Sequence, residues 1–169
     1  MSSITFKGTP VTLAGSLPPV GQSAPDFSVV DNAMQEVKLS DYKGKNIILN
    51  IFPSIDTPVC ALQLKKFSAQ IADDPNNVLI FVSLDLPFAL RRFCAIDNIK
   101  NAITTSDFRH LSVGQSYGVK MLDGPMAGLY ARAVMVIDEQ GIVRYSELVA
   151  ELTDEPIYEQ SLLQIDALD

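Results

Sequence analysis

The chain has 169 residues, 47% of them hydrophobic and 20% charged, which fits one soluble globular domain large enough to hold itself together without a disulfide or a metal. Acids outnumber bases by 20 to 13, and the resulting net charge of -7 argues against nucleic acid or an anionic membrane surface as a partner. Two cysteines, one histidine and no tryptophan are too few for a four-ligand zinc site, and the chain carries no EF-hand loop, HExxH or glycine-rich phosphate loop.

In chain order, Ile4-Thr5-Phe6-Lys7 and Val11-Thr12-Leu13 are short β-rich runs separated by Gly8-Thr9-Pro10, which predicts a hairpin at about residues 3–14. A loop rich in Pro and Gly follows, then strand candidates at Asp26 to Val30 and Val37 to Leu39. Asn46 to Phe52 is a nearly continuous apolar run, as expected of a strand buried on both faces. Beyond Pro53, the pair Thr57-Pro58 is an N-cap with proline at the first helical position, and Cys60, Leu64, Phe67 and Ile71 then repeat at helical spacing. Val78 to Leu84 is a second buried strand, and Asp85-Leu86-Pro87 opens a helix carrying Phe88, Leu90, Phe93 and Cys94. Ala102 to Thr105 is a further strand, followed by a short helix ending near Tyr117-Gly118. Ala131 to Ile137 and Ile142 to Val149 flank the turn Asp138-Glu139-Gln140-Gly141, and a last helix runs from about Pro156 to Leu168.

Alternating strands and helices closed by a hairpin and a helix predict an α/β, thioredoxin-like fold: a mixed central sheet flanked by helices, with the N-terminal β-hairpin added. No linker, repeat or low-complexity stretch divides residues 1–169, so a single domain is expected. No apolar run approaches the roughly 20 residues of a membrane helix, and no basic stretch leads into a signal-like segment. The expectation is a cytoplasmic protein, a compartment in which Cys60 and Cys94 would not form a permanent staple.

Cys60 falls in the first turn of its helix, where unpaired backbone N–H groups and the positive end of the helix dipole favour a thiolate. Full ionisation of a free thiol raises its reactivity at neutral pH by only about thirtyfold. Faster chemistry needs groups that stabilise the transition state itself. The same position also suits a small buried hydrophobe, since Cys60 shares its stripe with Leu64, Phe67 and Ile71. Arg132 enters a strand whose two alternating sets, Ala133-Met135-Ile137 and Val134-Val136, are both apolar. Its guanidinium is therefore expected to face inward and to need an anion, although arginine is common at strand ends. Thr57 can be a plain cap, Pro53 a strand terminator and Cys94 a packing residue. His110 has no partner motif for a cysteine–histidine pair, and Asp73-Asp74 and Asp154-Glu155 read as solvated helix-end charges.

The run Phe52-Pro53-Ser54-Ile55-Asp56-Thr57-Pro58-Val59-Cys60 resembles the Pro-x-x-x-Thr-x-x-Cys motif of the peroxiredoxins, and more closely that of the bacterial thiol peroxidases, their atypical two-cysteine branch. Asp85 to Ala89 with Arg92-Phe93-Cys94, Ser106 to Arg109, and Gly124-Pro125 through Gly128-Leu129 to Ala131-Arg132-Ala133-Val134 agree with that branch in the same order, as does the N-terminal hairpin. The resemblance implies that Cys60 is the peroxidatic nucleophile, that Thr57 holds the peroxide, that Pro53 shields the site, and that Arg132 stabilises the developing charge. It makes Cys94 the resolving cysteine of an intramolecular disulfide with Cys60. It further implies hydrogen peroxide and organic hydroperoxides as substrates, thioredoxin as reductant, a homodimer, and no metal or organic cofactor. Phe88 and Met126 are the apolar candidates for a pocket wall. An alternative from another class is a thioredoxin-fold redox-sensing or chaperone-type binding protein without turnover, against which the full set Pro53, Thr57, Cys60 and Arg132 speaks.

Overall fold

The computed structural model describes residues 3–71, 74–96 and 102–168. Asp73, read above as a helix-end charge, lies outside them. Nine strands, four α-helices and one short 3-10 turn are described: β1 (Ser3–Phe6), β2 (Thr9–Thr12), β3 (Ser28–Asp31), β4 (Glu36–Lys38), the 3-10 turn Leu39–Tyr42, β5 (Asn46–Ile51), α1 (Pro58–Gln70), β6 (Asn77–Ser83), α2 (Pro87–Ile96), β7 (Ala102–Ser106), α3 (Ser112–Tyr117), β8 (Ala133–Ile137), β9 (Val143–Leu148) and α4 (Tyr158–Leu168). Seven strands form one mixed sheet in the order β4-β3-β7-β6-β5-β8-β9. Strands β5, β6 and β7 run parallel, while β8 is antiparallel to β5.

Two successive crossovers, β5-α1-β6 and β6-α2-β7, step the same way across the sheet, and right-handedness puts both helices on one face. Packing agrees with this. Ile48 and Phe52 of the β5 segment, with Val134 and Val136 of β8, meet Cys60, Leu64 and Phe67 of α1, Leu90 of α2 and Ile165 of α4 in one cluster. Ile47, Leu49, Ile51, Ala133, Met135 and Ile137, the alternate residues, pack on the other face with Val113 and Tyr117 of α3. All six residues of β5 are buried, as the continuous apolar run predicts.

The N-terminal hairpin is present, with its turn placed differently from the sequence expectation. Phe6 pairs directly with Thr9, so the turn is the two residues Lys7 and Gly8, both at positive φ, the arrangement of a type I′ hairpin. Pro10 sits inside β2 opposite Thr5, which a two-stranded ribbon tolerates because half of each strand's donors face outward. The hairpin is docked by a third small cluster in which Ile4, Val11 and Leu13 meet Met121, Ala131 and Leu152.

Candidate active site

The parallel strands point their carboxyl ends at the start of α1, and β5 delivers the chain through Phe52 and Pro53 into that helix. Thr57 is the N-cap residue, with extended backbone and Pro58 at the first helical position. Its hydroxyl makes no capping bond. It donates to the Ser54 carbonyl at 2.8 Å, and the Thr57 amide meets the same oxygen at 3.1 Å. Cys60 follows in the first turn and is completely buried, as are Leu64 and Phe67 behind it.

Arg132 lies one residue before β8, and its parity with Val134 and Val136 turns it to the face that carries α1. Only 2% of its surface is exposed. One guanidinium nitrogen, Nη1, donates to the Cys60 Sγ at 3.1 Å and to the Gln63 Oε1 at 3.0 Å, and Nη2 donates to the Leu152 carbonyl at 3.0 Å. Among the described residues no carboxylate lies within ion-pair distance of it. A buried guanidinium is costly without a counter-charge. The ionisable group in direct contact with this one is the Cys60 thiol.

Gln63 and Asn50, both fully buried, extend the arrangement. Gln63 Nε2 donates to Asn50 Oδ1 at 3.1 Å, so Gln63 presents its carbonyl oxygen to Arg132 and its amide to the sheet. Neither was singled out from the sequence, yet each carries a signal. Gln63 stands three residues after Cys60 on the inward stripe of α1, and Asn50 interrupts the apolar alternation of Ile48 and Phe52. Among the described residues, Asn50 Nδ2 and Arg132 Nε have no hydrogen-bond partner. Each such orphaned buried group calls for an explanation, and a catalytic role is one.

A pocket of about 200 Å3, to which Arg132 but not Cys60 itself contributes, is walled by Pro53, Thr57, Val59, Arg132, Leu152, Met126 and Phe6, with Pro58 and Thr153 completing it. Pro53 is buried and Thr57 half-buried. The structure thus brings Pro53, Thr57, Cys60 and Arg132 together, and Met126 lines the wall as expected. Phe88 does not. It is 60% exposed on α2, because the inward side of that helix is taken by Leu90 with the half-buried Phe93 and Cys94. Cys94 packs against the same cluster as Cys60, and its sulfur lies 3.6 Å from the Thr104 hydroxyl of β7. Both cysteines are free. His110 pairs with Glu36 at 2.6 Å, on the β4 edge of the sheet, and takes no part in the site. Glu155 is not a merely solvated charge: it bonds the Tyr158 hydroxyl at 2.9 Å and Lys66 of α1 at 3.0 Å, tying α1 to the start of α4.

The hairpin reaches the site through the segment after β9. Leu152, whose carbonyl holds Arg132, gives its amide to the Thr5 carbonyl, and Thr5 gives its amide to the Ala150 carbonyl. Between them, the Glu151 carboxylate accepts bonds from the Gly8 amide and the Thr5 hydroxyl and from the amide and hydroxyl of Thr153. Chiefly through the Thr153 bonds, with Gly8 and Thr5 adding, its pKa is lowered from 4.5 to about 2. A depressed carboxyl lends its stability fully above the unfolded value and loses it as pH falls through the folded one, so this anchor persists to near pH 2. The Gly8 amide shift, followed by NMR through an acid titration, should move with a midpoint near 2. A midpoint at the ordinary glutamate value would mean that the hairpin is not held this way.

The redoxin family profile matches residues 19–162. Thiol peroxidases of Mycobacterium bovis and Mycobacterium tuberculosis are each 44% identical to the chain over 167 residues, covering 99% of it and 100% of their own length. A peroxiredoxin-like protein from Aquifex aeolicus has a crystal structure that matches with a TM-score of 0.94 at 40% identity, over 99% of this chain and 97% of that one. A thiol peroxidase from Chromobacterium violaceum, 22% identical, shares the fold at a TM-score of 0.88 over 98% and 97% of the two chains. The chain is thus a redoxin, and it belongs to that family's thiol peroxidases. It is a peroxiredoxin-type enzyme with thiol-dependent peroxidase activity.

Proposed function

We propose that Cys60 is the peroxidatic nucleophile and Cys94 the resolving cysteine of a single-domain enzyme that reduces hydrogen peroxide and organic hydroperoxides. The observation that carries the reading is the contact of a buried Arg132 guanidinium with the Cys60 sulfur at 3.1 Å. The Cys60 thiolate attacks one peroxide oxygen; the S–O bond forms as the O–O bond breaks, and the departing hydroxide or alkoxide takes a proton to leave as water or alcohol. Negative charge moves from sulfur toward the leaving oxygen in that step. Arg132 stands beside the sulfur and also faces the pocket, so one cation serves both ends of the charge shift. Thr57 lines the pocket and holds the peroxide oxygen, and Pro53 keeps water off the sulfur.

The Cys94 thiol then condenses with the Cys60 sulfenic acid, releasing water and forming an intramolecular disulfide. Thioredoxin, as a dithiol, reduces it. A water molecule's share of liquid volume is about 30 Å3, so a pocket of about 200 Å3 has room for a peroxide with a short tail. Its Phe6, Val59, Met126 and Leu152 walls favour an apolar one. We further propose that the protein works as a cytoplasmic homodimer. The test is one equivalent of hydrogen peroxide added to reduced protein. Wild type is expected to lose two thiols and two mass units, Cys94→Ser to stop at a sulfenic acid, and Cys60→Ser to remain unchanged. Thiols retained in the wild type would refute the assignment.

A further inference from the structure

Asp85 lies between the two cysteine-bearing elements, at the end of β6 and two residues before α2. It stands just before α2, but among the described residues its carboxylate makes no bond to that helix. It reaches the other way, into the loop that delivers Cys60. One oxygen accepts the Ser54 hydroxyl at 2.7 Å. The other accepts the Ile55 amide at 2.7 Å and the Ser83 hydroxyl at 2.6 Å. Ser54 in turn receives both the hydroxyl and the amide of Thr57 on its carbonyl. A charge-assisted bond to a carboxylate is roughly twice as strong as a neutral one, so Asp85 is the firmest point in the chain Ser83–Asp85–Ser54–Thr57. That chain ends on the wall of the pocket to which Arg132 contributes.

Thr57 needs this support because its side chain does not cap α1. A threonine whose hydroxyl is committed to the Ser54 carbonyl offers its lone pairs, rather than its proton, in a fixed direction. The direction is set by where Ser54 sits, and Ser54 is set by Asp85 through its own hydroxyl and through the next amide. We propose that Asp85 is a positioning residue for the peroxide step: it fixes the Ser54–Ile55 backbone and thereby the Thr57 hydroxyl against Cys60. This inference rests on the assignment of Cys60 and Thr57 to peroxide chemistry. Asp85 touches neither the sulfur nor the pocket, so its effect falls on the geometry of attack and not on the availability of the thiol.

The test uses the full-length protein in a Cys94→Ser background, so that the sulfenic acid accumulates and its formation can be timed by quenching and mass measurement. Two rates are compared at one pH: reaction of Cys60 with hydrogen peroxide, which needs the aligned site, and its alkylation by iodoacetamide, which does not. Asp85→Ala should lower the peroxide rate by about tenfold to a hundredfold, the scale of an ångström-sized misplacement, and leave alkylation unchanged or faster as the loop loosens. Asp85→Asn, which can still accept the Ile55 amide, should recover part of the loss. Ser54→Ala, removing a single bond, should show a smaller fall of the same kind if the alanine variant at position 85 does not fold. A peroxide rate equal to the parent's in all three, or equal losses in both reactions, overturns the proposal. Absence of any sulfenic acid in the parent would overturn the Cys60 assignment, and the role of Asp85 with it.

Discussion

Replacing Arg132 by Met is expected to lower the second-order rate of peroxide reduction by about a hundredfold to a thousandfold, the cost of removing one preorganised donor from a site where charge develops. The same change is expected to shift the unfolding midpoint in urea only slightly. The two halves of that expectation come from one observation. Arg132 is 2% exposed, has no carboxylate partner among the described residues, and leaves its Nε unsatisfied. A buried cation so placed costs several kcal/mol of desolvation, and three acceptors offset only part of it. Removing the cation recovers that desolvation, as when a whole buried ion pair is replaced by apolar side chains of similar volume, a change often neutral or stabilising by about 1–4 kcal/mol. Cys60 Sγ, Gln63 Oε1 and the Leu152 carbonyl then each lose a donor, a penalty of the same order as the gain, so the net change is small. Arg132→Lys should not rescue the rate, because a compact ammonium lacks the planar fork by which Nη1 reaches Sγ and Gln63 while Nη2 reaches the Leu152 carbonyl. A rate within about threefold of wild type would remove Arg132 from the chemistry, on a scale where a single donor is worth a hundredfold. A large loss of stability with the rate intact would make it a structural ion.

What a sequence shows of such a site depends on whether the contribution is periodic. The strand β5 and its partner β8 stand out as apolar runs, and Arg132 stands out because it abuts one of them. Cys60 stands out from the Thr57-Pro58 start of its helix. The support for these groups is aperiodic. Leu152 acts through its backbone carbonyl, for which no residue type is needed, and Ser54 holds Thr57 through its own. Asp85 reads in sequence as part of the opening of a helix, and only the fold shows its carboxylate turned to the neighbouring loop. Gln63 and Asn50 are legible in principle, as polar residues at apolar positions of a helix and a strand. Phe88 fails for the opposite reason: its helical spacing does not say which side of α2 faces the sheet, and the sheet takes Leu90. The hairpin turn was displaced by Pro10, which suggests a turn in sequence and sits in a strand edge in the fold.

Formation of the proposed Cys60–Cys94 disulfide is expected to open α2 and largely spare the body of α1. A disulfide needs Cα atoms within about 7 Å, and cysteines in two regular helices on one sheet face reach that only if one helix gives way. The two helices are held very differently. Cys60, Gln63, Leu64 and Phe67 of α1 are all fully buried, and the ring of Phe67 packs against Phe81 and against Tyr158 of α4. Lys66 adds its link to Glu155. On α2, Leu90 is fully buried, Phe93 and Cys94 are half-buried, and Arg91, Arg92 and Ala95 face solvent. Opening therefore falls on α2 and draws Cys94 away from Thr104. Hydrogen exchange of the reduced and oxidised forms should show amide protection over residues 91–96 falling by about a hundredfold on oxidation, the scale of a local opening that has lost a few kcal/mol. Residues 64–70 of α1 should keep most of theirs, because the contacts that hold them do not involve the sulfur. Loss of protection concentrated in α1, with α2 intact, would show that the cost of exposing Phe67 and Leu64 is smaller than their burial implies.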